Sequence, residues 1–200
     1  MRVALSRIEQ VERNRERVLA AARRVFLERG YAGATLDAIA VEAGFSKGVV
    51  YSQFDSKADL FLALLEHRIN ERADQNDRLA ANFSGPTMIA AAIRLADDLD
   101  QAEPEWALLV IEFRAHAARD PELNQRYAQL HTVTVERLSQ LLARLHERAG
   151  TEPPCPVRVL AELILAVGAG TALERVAVAD ALPAELLSRL IAHAITSPTA

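Results

Sequence analysis

The chain has 200 residues, of which half are hydrophobic and 5% aromatic, and a formal net charge of −4 at pH 7. This length can bury a core and hold one domain or two small ones. The single cysteine, Cys155, excludes an intramolecular disulfide and a multi-thiolate zinc site. The start, MRVALSRIEQ, is too polar for a signal peptide and the apolar runs are too short for a bilayer, so we expect a cytoplasmic protein.

The charge is distributed unevenly along the chain. Residues 1–57 carry ten Arg or Lys and seven Asp or Glu, whereas residues 58–200 carry thirteen and twenty. The positive balance at the N-terminal end favours contact with nucleic acid there. The acidic remainder weakens non-specific association with DNA elsewhere on the molecule.

Helical periodicity runs throughout and no stretch alternates like a strand, so the sequence predicts an all-α protein of about nine helices. The first is expected over about 15–29, with Val18 and Phe26 on its buried stripe and Gly30 at its end. Among the arginines near the N-terminus, we expect Arg13 and Arg15 to reach a phosphate or the minor groove. The residues before them read as a solvated tail.

The segment from Thr35 to Lys57 is the most informative in the chain. Thr35 can cap a helix over 36–43, and Gly44 suits the left-handed position that ends such a helix. Ser46 can cap a second helix that runs to about residue 54. This order predicts a helix-turn-helix, which lays its second helix into the major groove of DNA.

The second of these helices divides into a core face and an open face. At about 100° per residue, Val50 and Phe54 share the face toward the core. Gly48 and Ser52 lie opposite and let the backbone approach base edges, while Lys47 can donate to guanine acceptors. We therefore expect four residues to contact bases and five to hold the DNA backbone. The base set is Lys47, Gly48, Val49 and Ser52, and the backbone set is Thr35, Ser46, Tyr51, Gln53 and Lys57.

From residue 26 to residue 65 the chain resembles the DNA-binding domain of TetR-family bacterial transcriptional regulators. The matching residues follow without a gap: Phe26, Gly30, Tyr31, Thr35, Leu36, Ile39, Ala40, Ala43, Gly44, Ser46, Gly48, Tyr51, Phe54, Lys57 and Leu60. Phe45 stands where the family often has Val, and Gln53 stands where His or Tyr often contacts phosphate. The resemblance implies a three-helix DNA-binding domain over 1–57 and an effector-binding and dimerisation domain over 58–200.

Helix breakers divide the rest of the chain into six further helices, of which the first is capped by Ser56 and links the two predicted domains. The linker over 150–156 precedes the last two. The predicted helices cover about 56–82, the residues after Pro86 to about 101, 104–119, 121–148, 157–178 and 183–195.

The helix over 157–178 is apolar around most of its circumference, which implies burial on more than one side. The resemblance implies that the last two helices of each subunit form a four-helix homodimer interface. The alternative is an internal core helix of a monomer. The expected interface residues are Val157, Leu160, Ile164, Gly168, Leu173, Leu187 and Ile191. Two-fold symmetry would place two recognition helices about 34–36 Å apart over a pseudo-palindrome.

The resemblance also implies an effector cavity among the helices of the second domain. Aromatic side chains with few polar groups favour a small, largely apolar ligand, although Trp and Phe at helical spacing also suit an ordinary core. The expected lining residues are Trp106, Leu109, Phe113, His116, Tyr127 and His131.

The sequence therefore predicts a ligand-responsive repressor that is not an enzyme and uses no cofactor and no metal. One alternative is a helical-bundle enzyme or small-molecule carrier. A di-iron bundle needs repeated Glu-x-x-His pairs, and none of the five histidines has a Glu three residues before it. Another alternative is a helical protein that binds a protein partner through the helix-turn-helix face.

Overall fold

A computed structural model describes residues 7–81 and 104–196, and within those ranges the chain forms eight helices and no strand. The helices are α1 (Arg7–Gly33), α2 (Leu36–Ala43), α3 (Lys47–Tyr51), α4 (Lys57–Ala81), α5 (Pro104–Ala117), α6 (Pro121–Ala149), α7 (Val157–Ala177) and α8 (Ala184–Thr196). The all-α prediction is confirmed. The helix expected after Pro86 lies outside the described residues. In the described ranges, no helix is long and apolar enough to cross a membrane.

Helix α1 differs from its prediction at both ends. It begins at Arg7 rather than near residue 15, so Arg13 and Arg15 lie within a helix and not in an extended arm. The Arg15 guanidinium packs 4.9 Å from the centre of the Phe54 ring, which ties it to the core of the helix-turn-helix. Gly30, the predicted end of α1, has φ 68° and ψ 172°, and one further helical turn follows it to Gly33.

Helix α3 is shorter than predicted, because it ends at Tyr51 rather than near residue 54. The backbone amide of Gln53 donates to the carbonyl of Val50, three residues back, at 3.0 Å. This tighter hydrogen bond ends the α-helix. This turn delivers the buried Phe54 side chain to the core.

Two apolar clusters hold the described helices together. The first joins α1 to α4 with α5 and the start of α6, around the fully buried rings of Phe26, Phe61 and Phe113. The second joins α6 and α7 with the far end of α4, around Leu142 and Leu145. Because α5 packs into the first cluster, the core of the DNA-binding half continues into the second half. The domain boundary at residue 57 stays a prediction.

Helix α4 connects both clusters. Its 25 residues span about 37 Å at 1.5 Å per residue. Near its C-terminal end, Arg148 of α6 donates to the carbonyl of Ala80 at 2.9 Å, and Arg144 pairs with Asp77. The helix is therefore held by α6 at the end far from α3.

Candidate nucleic-acid interface

The turn between α2 and α3 is built from local caps. The Thr35 hydroxyl accepts a hydrogen bond from the Ala38 amide at 3.1 Å, and Gly44 ends α2 in the left-handed conformation at φ 69°. Arg17 of α1 donates to the last carbonyl of α2, at Ala43, over 3.0 Å, and its guanidinium lies 4.3 Å from the centre of the Phe45 ring. The predicted roles of Thr35 and Gly44 in shaping the turn are confirmed.

Ser46 occupies the N-cap position of α3, but the predicted side-chain cap is wrong. Its hydroxyl makes no capping hydrogen bond, and the Ser46 carbonyl instead accepts from the Val49 amide at 3.1 Å. The side chain of Ser46 is exposed beside the open face of α3.

Helix α3 and the turn that follows it present the faces that the sequence predicts. Val50 and Phe54 are buried, whereas Lys47, Gly48 and Ser52 are exposed. A Cβ added at Gly48 would come no closer than 3.9 Å to any neighbouring side chain, and that neighbour is the Ser46 hydroxyl. Packing within the protein therefore does not require a glycine here. A partner that approaches the open face of α3 would benefit from one.

Asp37 lies at this face and is a residue that sequence reasoning missed. Its carboxylate accepts from the Lys47 ammonium at 2.5 Å, and the Tyr51 hydroxyl lies 3.4 Å from its other oxygen. The hydrogen bond and the charge of Asp37 raise the pKa of Lys47. Two predicted DNA contacts are thus bound to one carboxylate that carries the same sign of charge as a phosphate. Asp37 precedes Lys47 by ten residues, and this separation alone does not show that the two side chains meet, because their distance depends on the turn between α2 and α3.

Gln53 and Lys57, both expected to hold the DNA backbone, are turned toward the protein. The side-chain amide of Gln53 donates to the Val49 carbonyl at 3.2 Å, and the buried oxygen of this side chain has no hydrogen-bond partner among the described residues. The Lys57 ammonium donates to the carbonyls of Tyr31 at 2.6 Å and Ala32 at 3.2 Å. Burial lowers the pKa of Lys57. A phosphate contact by either side chain would require it to leave these partners.

The start of α4 is fixed by a polar contact from the second half of the chain. Ser56 accepts from the Asp59 amide at 3.0 Å and donates to the Asp59 carboxylate at 2.6 Å, which confirms Ser56 as the cap. Arg126 of α6 donates to the other oxygen of Asp59 at 2.6 Å. The hydrogen bond from Ser56 and the contact with Arg126 lower the pKa of Asp59.

The residues predicted to line an effector cavity mostly pack into the first core cluster. Leu109, Phe113 and Tyr127 are buried there, and the Phe113 ring stacks on Phe61 with centroids 4.2 Å apart. Trp106 also packs against this cluster and lies partly buried. His131 stacks on Tyr127, and His116 is exposed.

A cleft of about 510 Å³ lies between α5, α6 and α7, and Tyr127 is the residue it shares with the predicted set. Its described lining is mostly apolar, with Arg114 and Asn124 as polar members. A smaller cleft of about 270 Å³ lies beside Asp59 and Arg126, between α4 and α6.

The residues predicted for a dimer interface point in different directions. Leu160 is 3% exposed within the second core cluster, so its side chain cannot meet a partner subunit. Val157, Ile164 and Ile191 pack partly buried against that cluster, and Leu187 is half-buried. Leu173 is half-exposed, and a Cβ at Gly168 would meet no atom within 4 Å. The exposed apolar surface of this region is carried by Val159, Leu163, Leu173, Val176, Val178, Leu182, Leu186 and Leu190.

Two family models match the chain. Residues 18–64 match the bacterial regulatory proteins of the tetR family, and residues 87–198 match the C-terminal part of the BetI-type transcriptional repressors. In the described residues, no group of three or more His, Cys, Asp or Glu side chains could hold a metal ion.

Known proteins with similar sequences include several transcriptional regulators. The uncharacterised HTH-type regulator YfiR of Bacillus subtilis is 26% identical over 163 residues, which cover 81% of this chain and 80% of that protein. The HTH-type repressor NicS of Pseudomonas putida is 32% identical over 147 residues, 72% of this chain and 61% of NicS. The crystal structure of the regulator FadR from Bacillus subtilis, in complex with stearoyl-CoA, superposes with a TM-score of 0.71 at 19% identity, covering 92% of this chain and 99% of FadR.

Proposed function

Because the chain belongs to the TetR family of bacterial transcriptional regulators, we propose that it is a ligand-responsive repressor that binds a palindromic operator as a homodimer. Membership makes it a DNA-binding regulator and not an enzyme. A regulator of this kind works beside the chromosome, so we expect it in the cytoplasm.

The observation that carries the proposal is the open face of α3. Lys47, Gly48 and Ser52 are exposed there, while Val50 anchors the helix in the core. An α3 inserted in the major groove would read bases with Lys47, Gly48, Val49 and Ser52. Thr35, Ser46 and Tyr51 border this face and would bind phosphates, and Gln53 and Lys57 would join them on leaving their present partners.

The exposed apolar residues of α7 and α8 support the homodimer. Leu163 and Leu173 are each about half exposed, and Leu186 and Leu190 repeat at four residues along α8. Large apolar patches are rare on the surface of monomers, so several exposed apolar side chains on two neighbouring elements of the chain favour a partner. A second copy of the chain would cover it with the same surface, as two-fold symmetry requires. Gly168 and Leu173 of the predicted interface remain in this proposal, whereas Leu160 is replaced by its exposed neighbours Val159 and Leu163.

We place a small, largely apolar effector at the cleft beside Tyr127. Its volume of about 510 Å³ lies within the range of about 300–1,000 Å³ that is usual for small-molecule sites. The FadR structure of the same fold holds stearoyl-CoA, a ligand with a long apolar chain. Binding would release DNA if the ligand prefers the conformation that does not fit the operator.

A gel shift with the DNA upstream of the protein's own gene tests the proposal. We expect a specific complex that survives competition by unrelated DNA and weakens steeply with salt. Selection from a random DNA library would extend the test beyond that fragment and should return a palindrome. If neither experiment yields a specific site, the proposal fails, and a helix-turn-helix face that binds a protein becomes the better interpretation.

The proposed release by a small-molecule effector has a separate test. Hydrophobic compounds can be screened through the fluorescence of Trp106, the single tryptophan, and positive compounds taken to the gel shift. We expect roughly 5- to 150-fold weaker operator binding, the range of typical coupling between two sites. Compounds that bind and leave operator affinity unchanged would contradict ligand release but not DNA binding.

A further inference from the structure

The break in α1 at Gly30 leaves two backbone amides that a carboxylate from the other half of the chain satisfies. The Tyr31 amide donates to one oxygen of Glu112 at 2.9 Å, and the Ala32 amide donates to the other at 3.0 Å. Glu112 lies on α5, about 80 residues away in sequence. Hydrogen bonds to an ionised acceptor are stronger than neutral ones, and two of them fix direction as well as distance.

Gly30 is shaped to receive this carboxylate. Its φ of +68° is a conformation that other residues rarely adopt, and a Cβ at this position would lie 2.9 Å from the nearer oxygen of Glu112. A side chain here would therefore push Glu112 off the amides. The glycine thus serves both the break in the helix and the approach of α5.

The carbonyl groups of the same two residues are held from within the DNA-binding half. Lys57, the first residue of α4, donates to the carbonyls of Tyr31 and Ala32 and lies 4.5 Å from the centre of the Tyr31 ring. The Tyr31 ring meets Phe113 of α5 edge-on, with centroids 4.9 Å apart. The segment after Gly30 is therefore clamped between α4, next to the recognition helix, and α5, next to the proposed effector cleft.

We propose that Glu112 is a positioning residue that fixes the DNA-binding half against α5, so that the two recognition helices of a dimer keep the spacing of the operator half-sites. This inference rests on the proposed function. A homodimer on a palindrome must hold two helices one DNA turn apart. How firmly each DNA-binding half is fixed against its own α5 then determines how constant the distance between the two recognition helices is.

Helix α5 also gives the effector a route to this clamp. Ile111, Arg114 and Ala115 line the cleft on one side of α5, and Glu112 reaches α1 from the same helical turn. A ligand that shifts α5 would move the Glu112 carboxylate with it. Loosening of the clamp, rather than a direct contact with DNA, is then the expected route of release.

The test compares Glu112→Gln and Glu112→Asp with the wild type on the selected operator. Gln keeps the length but places one donor group against an amide, whereas Asp keeps the charge but is too short to meet both amides as Glu112 does. Glu105→Gln is the matched control, because Glu105 is exposed on the same helix and the substitution makes the same change of charge. Thermal unfolding reports whether each variant is folded.

The readout is the affinity for a set of operators in which the half-sites are moved apart or together by one or two base pairs. We expect both Glu112 variants to bind the natural spacing at least about fivefold more weakly, the lower end of typical coupling. They should lose less affinity for the altered spacings, so that the spacing preference flattens. Affinity for unrelated DNA should not change in Glu112→Asp, which keeps the negative charge near Lys57, and Glu105→Gln should behave as the wild type.

Two results would overturn the inference. Variants that keep the wild-type spacing preference would show that Glu112 does not set the position of the DNA-binding half. An equal loss at every spacing would indicate fewer folded molecules and only a structural role. A wild-type protein that binds no operator would instead overturn the proposed function, and the two failures are therefore distinguishable.

Discussion

Replacing Asp37 by Asn would remove the carboxylate that holds Lys47 and Tyr51 at the open face of α3. The Asp37 and Lys47 side chains are 46% and 66% exposed, so the ion pair contributes little to folding. We therefore expect little change in the free energy of unfolding. The larger effect should fall on DNA binding, because the substitution frees a cation and removes a negative charge from the surface that meets phosphates.

The size of this effect follows from Coulomb's law. A charge about 10 Å from a phosphate interacts by about 0.4 kcal/mol in water, and two or three phosphates near α3 give about 1 kcal/mol. Asp37→Asn should therefore bind unrelated DNA about fivefold more tightly at low salt. If the freed Lys47 neutralises one further phosphate, the salt dependence should steepen by about 0.9 in log affinity per log salt. Affinity for the operator should rise by no more than the affinity for unrelated DNA does. The ratio of specific to non-specific affinity should therefore fall or stay level.

Fluorescence anisotropy with operator and unrelated duplexes, over a series of salt concentrations, measures both quantities. Glu42→Gln is the matched control, because Glu42 is also on α2, forms an exposed ion pair with Arg24 at 2.7 Å, and does not contact Lys47 in this arrangement. If Asp37→Asn changes affinity and salt slope no more than Glu42→Gln does, Asp37 does not restrain the recognition face.

Features set by neighbouring residues could be predicted from sequence. The cap at Thr35, the left-handed Gly44 and the buried Val50 depend on a few adjacent positions, and the structure confirms each. Ser46 shows the limit of this reasoning. The backbone takes the cap conformation, and yet the hydroxyl is not used as a cap.

Features set by packing between distant segments could not be predicted. The contact of Glu112 with α1 joins residues about 80 apart, and nothing in the sequence around Glu112 indicated a partner on α1. Helix α7 is apolar around nearly all of its circumference, so its helical wheel does not indicate which side packs against α6. Leu160 therefore lies in the core although it was expected at the interface, while Leu163 is 48% exposed. Phe113 fitted a core or a cavity equally from spacing alone, and its neighbours Phe61 and Tyr31 decide for the core.

Three further predictions concern the DNA contacts, the dimer and pH. Lys57→Ala should weaken binding to all DNA sequences and flatten the salt slope by about 1, with a further loss on the operator because Lys57 also holds the carbonyls of Tyr31 and Ala32. Lys47→Ala should instead relax the preference at one base pair by about 1–3 kcal/mol, and equal shifts for both variants across a panel of operator variants would refute these roles. Leu163→Asp should give a folded monomer in sedimentation at micromolar concentration, because an interface would bury its unpaired charge, and a stable dimer would count against the proposed surface. Between pH 7.5 and 5.5 the free energy of unfolding should fall, because burial lowers the pKa of His146, which is 2% exposed, and of His131. The unfolded chain, whose histidines titrate near 6.5, then binds more protons than the folded one below that pH, so stability is complete above about 6.5 and is lost as the pH falls toward the folded pKa values. Each histidine can contribute at most about 1.4 kcal/mol per pH unit. Urea unfolding of His146→Gln should show a shallower fall than the wild type, and an unchanged slope would exclude His146 as its source.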